Sequence, residues 1–223
     1  MSSEALGQPN LWMIAFALVA IVPFLFMALT AFVKISTVLQ IVRGAIGAQS
    51  VPSNTVVLAL AGSLTLLAMA PVGDRIVERF EPIVHASQRL EPATLLLRGA
   101  EAVREPLRDF LHANASAREL KRFVDLARKA RPASDRDRIK DTDMTVVIPA
   151  FVTTELLEAF SLGFALYLPF LVLDLVIANV LLALGMQALS PTQVSLPFKL
   201  LLFVSIDGWG LLAQALVTGY KIS

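Results

Sequence analysis

An all-α membrane protein is the fold class this sequence predicts: four apolar helical segments in two hairpins, with a helical polar block between the second and third. Three observations carry that expectation. Of 223 residues, 56% are apolar and only 17% charged, against ~45–50% and ~25% in an ordinary soluble domain. Mean hydropathy is +0.70. The charge is also concentrated, since 28 of the 37 charged residues lie between Asp74 and Asp143. The remaining positions carry nine charges, too few to solvate a water-soluble fold.

The N-terminal hairpin is expected within residues 1–73. Leu11 to Val33 is free of charge for 23 residues, where ~20 cross a hydrocarbon core as helix. Pro23 within it is tolerated if neighbours satisfy the freed carbonyl. The start, Met1 to Asn10, holds Glu4 but no Lys or Arg, so it lacks the basic region of a secretory signal. An uncleaved first segment is expected. Ser50 to Gly73 is a second charge-free run, with the segment over about 51–73 and start signals at Pro52, Ser53 and Asn54. Only Lys34 and Arg43 lie between the two runs, and a short loop with two cations and no acid predicts a cytoplasmic side.

Residues 74–143 then form a periplasmic polar domain. It carries 15 basic and 13 acidic residues. Val103, Leu107, Phe110 and Leu111 recur at helical spacing, as do Leu120, Phe123, Val124 and Ala127. Ser116-Ala117-Arg118-Glu119 has the capping-box form ahead of the second pattern. The charge-rich stretch from Arg131 to Asp143, with Pro132 and Ser134, is expected as a mobile loop.

The C-terminal hairpin occupies residues 144–223, with segments over about 167–187 and 196–218. Pro149–Leu166 leads in, and a turn falls at Ser190-Pro191. Glu155, Asp174, Lys199 and Asp207 stand out here, because a charge at the centre of a membrane helix costs roughly 2.5–3.5 kcal/mol on insertion scales. Such groups must pair with one another or face water or another subunit. Three acids and one base cannot all pair within a single chain, which predicts an oligomer. Ser161 and Ala165 form a small-xxx-small pair, and Gly208 and Gly210 flank Trp209, as close helix packing uses.

No catalytic, cofactor or metal-ligand pattern is found. H-E-x-x-H, G-x-S-x-G and the P-loop are missing, and there is no cysteine. His85 and His112 lie far apart in the polar block and read as solvated surface groups. A net charge of +1 gives no pull toward nucleic acid. An enzyme is therefore not expected.

Several long blocks carry a family resemblance. Thr30-Ala31-Phe32-Val33-Lys34, continuing through Val38-Leu39-Gln40-Ile41-Val42-Arg43-Gly44-Ala45-Ile46-Gly47, is similar to one signature block of the SctR/FliP family. Pro149-Ala150-Phe151-Val152-Thr153-Thr154-Glu155-Leu156 resembles a second. Tyr167 to Val176, Leu182 to Met186, Leu196-Pro197-Phe198-Lys199-Leu200 and Asp207-Gly208-Trp209 complete the likeness, which covers both apolar regions. It implies a pore-forming subunit of a type III secretion or flagellar export gate in the bacterial inner membrane. A pentameric ring would assemble with SctS- and SctT-like subunits, and unfolded secreted proteins would thread through it as cargo. The injectisome side of the family is favoured.

The resemblance also implies a charge network of Glu155, Asp174, Lys199 and Asp207 across helices and between subunits. It places the channel constriction at Met186, Gln187, Ala188 and Leu189. Family members carry a run of methionines there, and this chain keeps only Met186. The alternative class is a small ion- or proton-coupled transporter working through Asp174, Lys199 and Asp207. Such a transporter would show an internal repeat, and residues 11–73 and 145–223 show none. A purely structural scaffold is a third reading.

Overall fold

The computed structural model describes residues 8–47, 52–86 and 91–221. The expectations at Met1–Gly7 and at Ser50 and Val51 lie outside these residues. Every regular element among those described is helical: α1 (Gln8–Leu29), α2 (Phe32–Ile46), α3 (Asn54–Ala86), α4 (Pro92–Asn114), α5 (Ala117–Lys129), a short 3₁₀ helix (Ala133–Arg138), α6 (Met144–Ala183), α7 (Pro191–Ser205) and α8 (Gly208–Thr218). By length and composition α3 and α6 can each cross a membrane. The α1–α2 and α7–α8 pairs each reach that standard only if taken together across bends of 74° and 58°. The four-segment expectation holds on that count.

The first difference from expectation is α2. Lys34 and Arg43 lie on a helix, not in a loop. The charge-free run does not show the break, because it is made at Thr30-Ala31 by residues that an apolar helix accommodates. The Thr30 hydroxyl donates to the Phe26 carbonyl at 2.5 Å and accepts from the Phe32 amide at 3.3 Å, so it serves groups on both sides of the bend. Beyond it, Ile35, Val38, Leu39, Val42, Ala45 and Ile46 recur at helical spacing and are buried. That stripe is the centre of the core, and α2 touches α1, α3, α6 and α7.

Boundaries differ for the long helices too. The second segment does not stop at Gly73, since α3 runs on to Ala86. Hydropathy falls at Asp74, but Arg75, Glu78 and Arg79 are competent in a helix whose face turns to water. Likewise the third segment does not begin at Tyr167. One helix of 40 residues passes through Pro149 and Pro169. Its first half is core, with Val147, Ala150, Phe151, Thr154, Glu155, Ala159 and Gly163 buried, whereas Phe170 and Leu181 alone are buried beyond them.

Helices α2 and α6 run in the same sense and approach closely at Gly163. A Cβ built there would lie 2.6 Å from Ile41 Cδ1 and 2.9 Å from its Cγ2, so any larger residue would force Ile41 to shift. The expected pair Ser161 and Ala165 does not make the contact, and both face outward.

The polar block packs onto this core. Helices α4 and α5 match the two periodic stretches, and Phe110, Leu111 and Leu120 are buried. Half of the capping box forms: the Ser116 hydroxyl accepts from the Glu119 amide at 3.3 Å. The reciprocal bond is replaced, because the Ser116 amide donates to Thr154 Oγ1 of α6 at 3.0 Å. Glu119 is instead fully buried between Arg118 and Arg122, at 3.1 and 2.8 Å. In the stretch expected as a loop a 3₁₀ helix forms, and Ile139, which follows its last residue, is buried.

Candidate functional site

The costly charges resolve into two ion pairs along α2. At its start Lys34 is 4% exposed, and its Nζ lies 3.1 Å from Glu155 Oε1 and 2.8 Å from Glu158 Oε2. The Tyr220 hydroxyl donates to Glu155 Oε2 and sits 3.2 Å from the Ala31 carbonyl. Lys34 Nζ also stands 4.2 Å above the Tyr220 ring, a cation–π contact in a desolvated setting. Burial, and then the Glu155 carboxylate, push the Tyr220 phenol above its usual range, so it stays a donor. Tyr220 continues an aromatic stack, with Phe110 at 5.7 Å and Phe151 a further 5.7 Å on.

At the other end of α2, Lys199 of α7 is 2% exposed. Its Nζ donates to Asp174 Oδ2 at 2.6 Å and to the Ala45 carbonyl at 3.2 Å. That carbonyl belongs to the last turn of α2, where helical carbonyls lack amide partners and a cation is favoured by the dipole. Asp174 also takes the Ser195 hydroxyl.

The expected four-member set is thus divided. Asp174 and Lys199 meet, Glu155 does not meet either of them, and Asp207 is apart. Asp207 occupies the break between α7 and α8 at φ 51°, with its side chain exposed and Gly208 packed under the Phe203 ring. Lys34 and Tyr220 were missed. The two-cation stretch reads as a loop from sequence, which hides Lys34, and Tyr220 lies past the last apolar segment. Glu155 and Glu158, one turn apart on α6, were the signal that a cation faces them.

The Met186–Leu189 turn joins α6 to α7. Gly185 at φ 70° allows the chain to reverse. The Met186 amide donates to the Leu181 carbonyl at 2.9 Å and the Gly185 amide to Leu182 at 3.1 Å, which satisfies the last carbonyls of α6. Met186, Gln187, Ala188 and Leu189 are all exposed. Helix α6 leads to this tip with Phe160, Phe164, Val172, Leu175 and Val180 also exposed.

Comparison with known proteins bears on this arrangement of paired charges and an uncovered apolar tip. The FliP family model matches residues 15–216. The chain belongs to the FliP family. It is 42% identical to the hypersensitivity response secretion protein HrcR of Ralstonia nicotianae, over 91% of this chain and 93% of that one. The Yop proteins translocation protein R of Yersinia pestis is 39% identical over 93% of this chain and 94% of its own. The flagellar biosynthetic protein FliP of Cereibacter sphaeroides is 42% identical over 90% of this chain, which spans 64% of that relative. Membership covers both ion pairs and the turn.

The two partners of the second pair differ in exposure, which gives a test. Asp174 is 24% exposed and Lys199 only 2%. Asp174→Leu leaves a buried ammonium unpaired and is expected to destabilise by roughly 3–5 kcal/mol. Lys199→Met leaves a carboxylate that water and Ser195 still serve, so its loss in thermal unfolding should be smaller. An Asp174→Leu variant as stable as the parent would contradict the pairing.

Proposed function

We propose that this protein is a subunit of a type III secretion export apparatus, forming a ring in the bacterial inner membrane through which unfolded proteins leave. The family and the names of its relatives support the secretion role. The observation that supports a ring is the apolar surface that one chain leaves open, from Phe160 to the Met186–Leu189 tip. Among the described residues, nothing in the same chain covers that tip.

In this reading the copies form a pentamer and bind SctS- and SctT-like subunits through the exposed faces of α6 and α7. Residues 74–143 make the periplasmic domain. Within one chain Glu155, Asp174 and Lys199 are already paired, which leaves Asp207 as the charge a neighbour or water would serve. Met186, Gln187, Ala188 and Leu189 form the constriction. Methionine is unbranched and adaptable, suited to a seal that deforms around a passing chain, and Leu189 supplements the single Met186.

Counting subunits in mild detergent tests the ring. A pentamer is expected, and a monomer or dimer would overturn the reading. Met186→Ala tests the seal: reconstituted into vesicles, the variant should leak small ions that the parent retains. A variant as tight as the parent would remove Met186 from the constriction.

A further inference from the structure

Two outward faces of the polar block carry charge of opposite sign. The first belongs to the last part of α3. Asp74, Glu78 and Glu81 follow one another at four and three residues, so they share one helix face, and all three are exposed. The cations of the same stretch are engaged elsewhere. Arg79 pairs with Glu105 of α4, and Arg75 Nε donates to the Pro71 carbonyl at 3.4 Å. Phe80 packs over Gly99 of α4, which turns the acidic face outward. Like charges at this spacing weaken a helix, so the stripe favours a cation brought to it.

The second face belongs to α5. Leu120 and Phe123 turn to the core. Arg118, Lys121, Arg122, Arg128 and Lys129 are exposed on the other side, with Asp125 as the one acid among them. Arg118 and Arg122 brace the buried Glu119 and still stand 71% and 53% exposed. Each face also holds exposed apolar side chains, Val77 and Val84 beside the acids and Leu126 among the cations. Apolar side chains rimmed by charge are the make-up of a protein–protein contact.

The fold keeps the two faces apart within one chain. Helix α4 packs on α3 and on α6, and α5 packs on α6. The series α3, α4, α6, α5 sets the charged faces at opposite edges. Placed so, they cannot both be used between the same two copies, which a two-fold dimer would require. Different but complementary patches join copies head to tail, and such contacts close into a ring where the rotation allows.

We propose that neighbouring copies meet through their polar blocks, the α5 face of one set against the Asp74–Glu78–Glu81 face of the next. This rests on the ring reading given above and adds a contact separate from α6 and α7. Opposite charge gives the contact its direction and opposes the meeting of like faces.

The chain has no cysteine, so thiol cross-linking of the full chain in mild detergent reports the contact directly. Glu78→Cys and Lys121→Cys in one chain, treated with a short bismaleimide, should give a ladder that runs past the dimer to the parent's subunit count. Neither single variant should give one. Dimers as the main product of either single variant would show like faces in contact and overturn the proposal.

Charge reversal at exposed positions supplies a second arm. Asp74→Lys, Glu78→Lys and Glu81→Lys together should raise the concentration at which the oligomer dissociates by about tenfold. Lys121→Glu, Arg128→Glu and Lys129→Glu together should do the same, and a chain carrying both sets should assemble as the parent does. If the parent itself is a single copy throughout, the ring reading fails and this contact with it. An oligomeric parent whose double-cysteine variant gives no ladder, or whose reversals leave dissociation unchanged, overturns this contact while the ring stands.

Discussion

The pairing of Lys34 with Glu155 is the interaction on which the rest of the structure depends. An ammonium and a carboxylate, 4% and 0% exposed, cannot be held apart in an apolar interior without several kcal/mol of penalty for each ion. Their union fixes the start of α2 against the first half of α6. From there the two helices run in the same sense past Gly163, and Lys199 closes the far end of α2 through Ala45 and Asp174. Helix α2 is thus held by a charge at each end, with an apolar stripe between.

The same pair reaches outward to the polar block. Tyr220 gives Glu155 its second partner and stacks on Phe110 of α4. One residue on, Lys221 and Asn114 exchange two hydrogen bonds, amide to Oδ1 at 2.9 Å and Nδ2 to carbonyl at 3.1 Å. Thr154, one residue before Glu155, accepts from the amide of the α5 N-cap. The chain terminus, α4 and α5 therefore all bear on the α6 turn that carries Glu155. By contrast, the second half of α6 and the Met186 tip face outward, as a surface meant for other chains would.

Much of this was legible in the sequence. Composition and charge-free runs indicate apolar helices, and periodicity finds α4 and α5. The blocks around Lys34, Glu155, Lys199 and Asp207 carry the family. Pairing was only half legible, because an insertion cost marks which charges need a partner and not which partner they have. Lys34 and Glu155 are 121 residues apart, and no local spacing joins them. Helix ends were missed where hydropathy and helix propensity part company, as at Asp74. Asp207 is exposed in one chain, at a break with positive φ that leaves no compositional trace. Gly163 was passed over for the small pair beside it, since only the α2 crossing distinguishes it.

A double-mutant cycle in thermal unfolding tests the central pair most directly. Lys34→Met leaves the buried Glu155 with Tyr220 alone and should destabilise by roughly 3–5 kcal/mol. Glu155→Met leaves Lys34 paired with Glu158 at 2.8 Å and should cost less. The double variant should recover most of the larger loss, since apolar replacement of a buried pair is often near neutral. Additive losses would show that the two charges do not act as a pair, and would contradict the account.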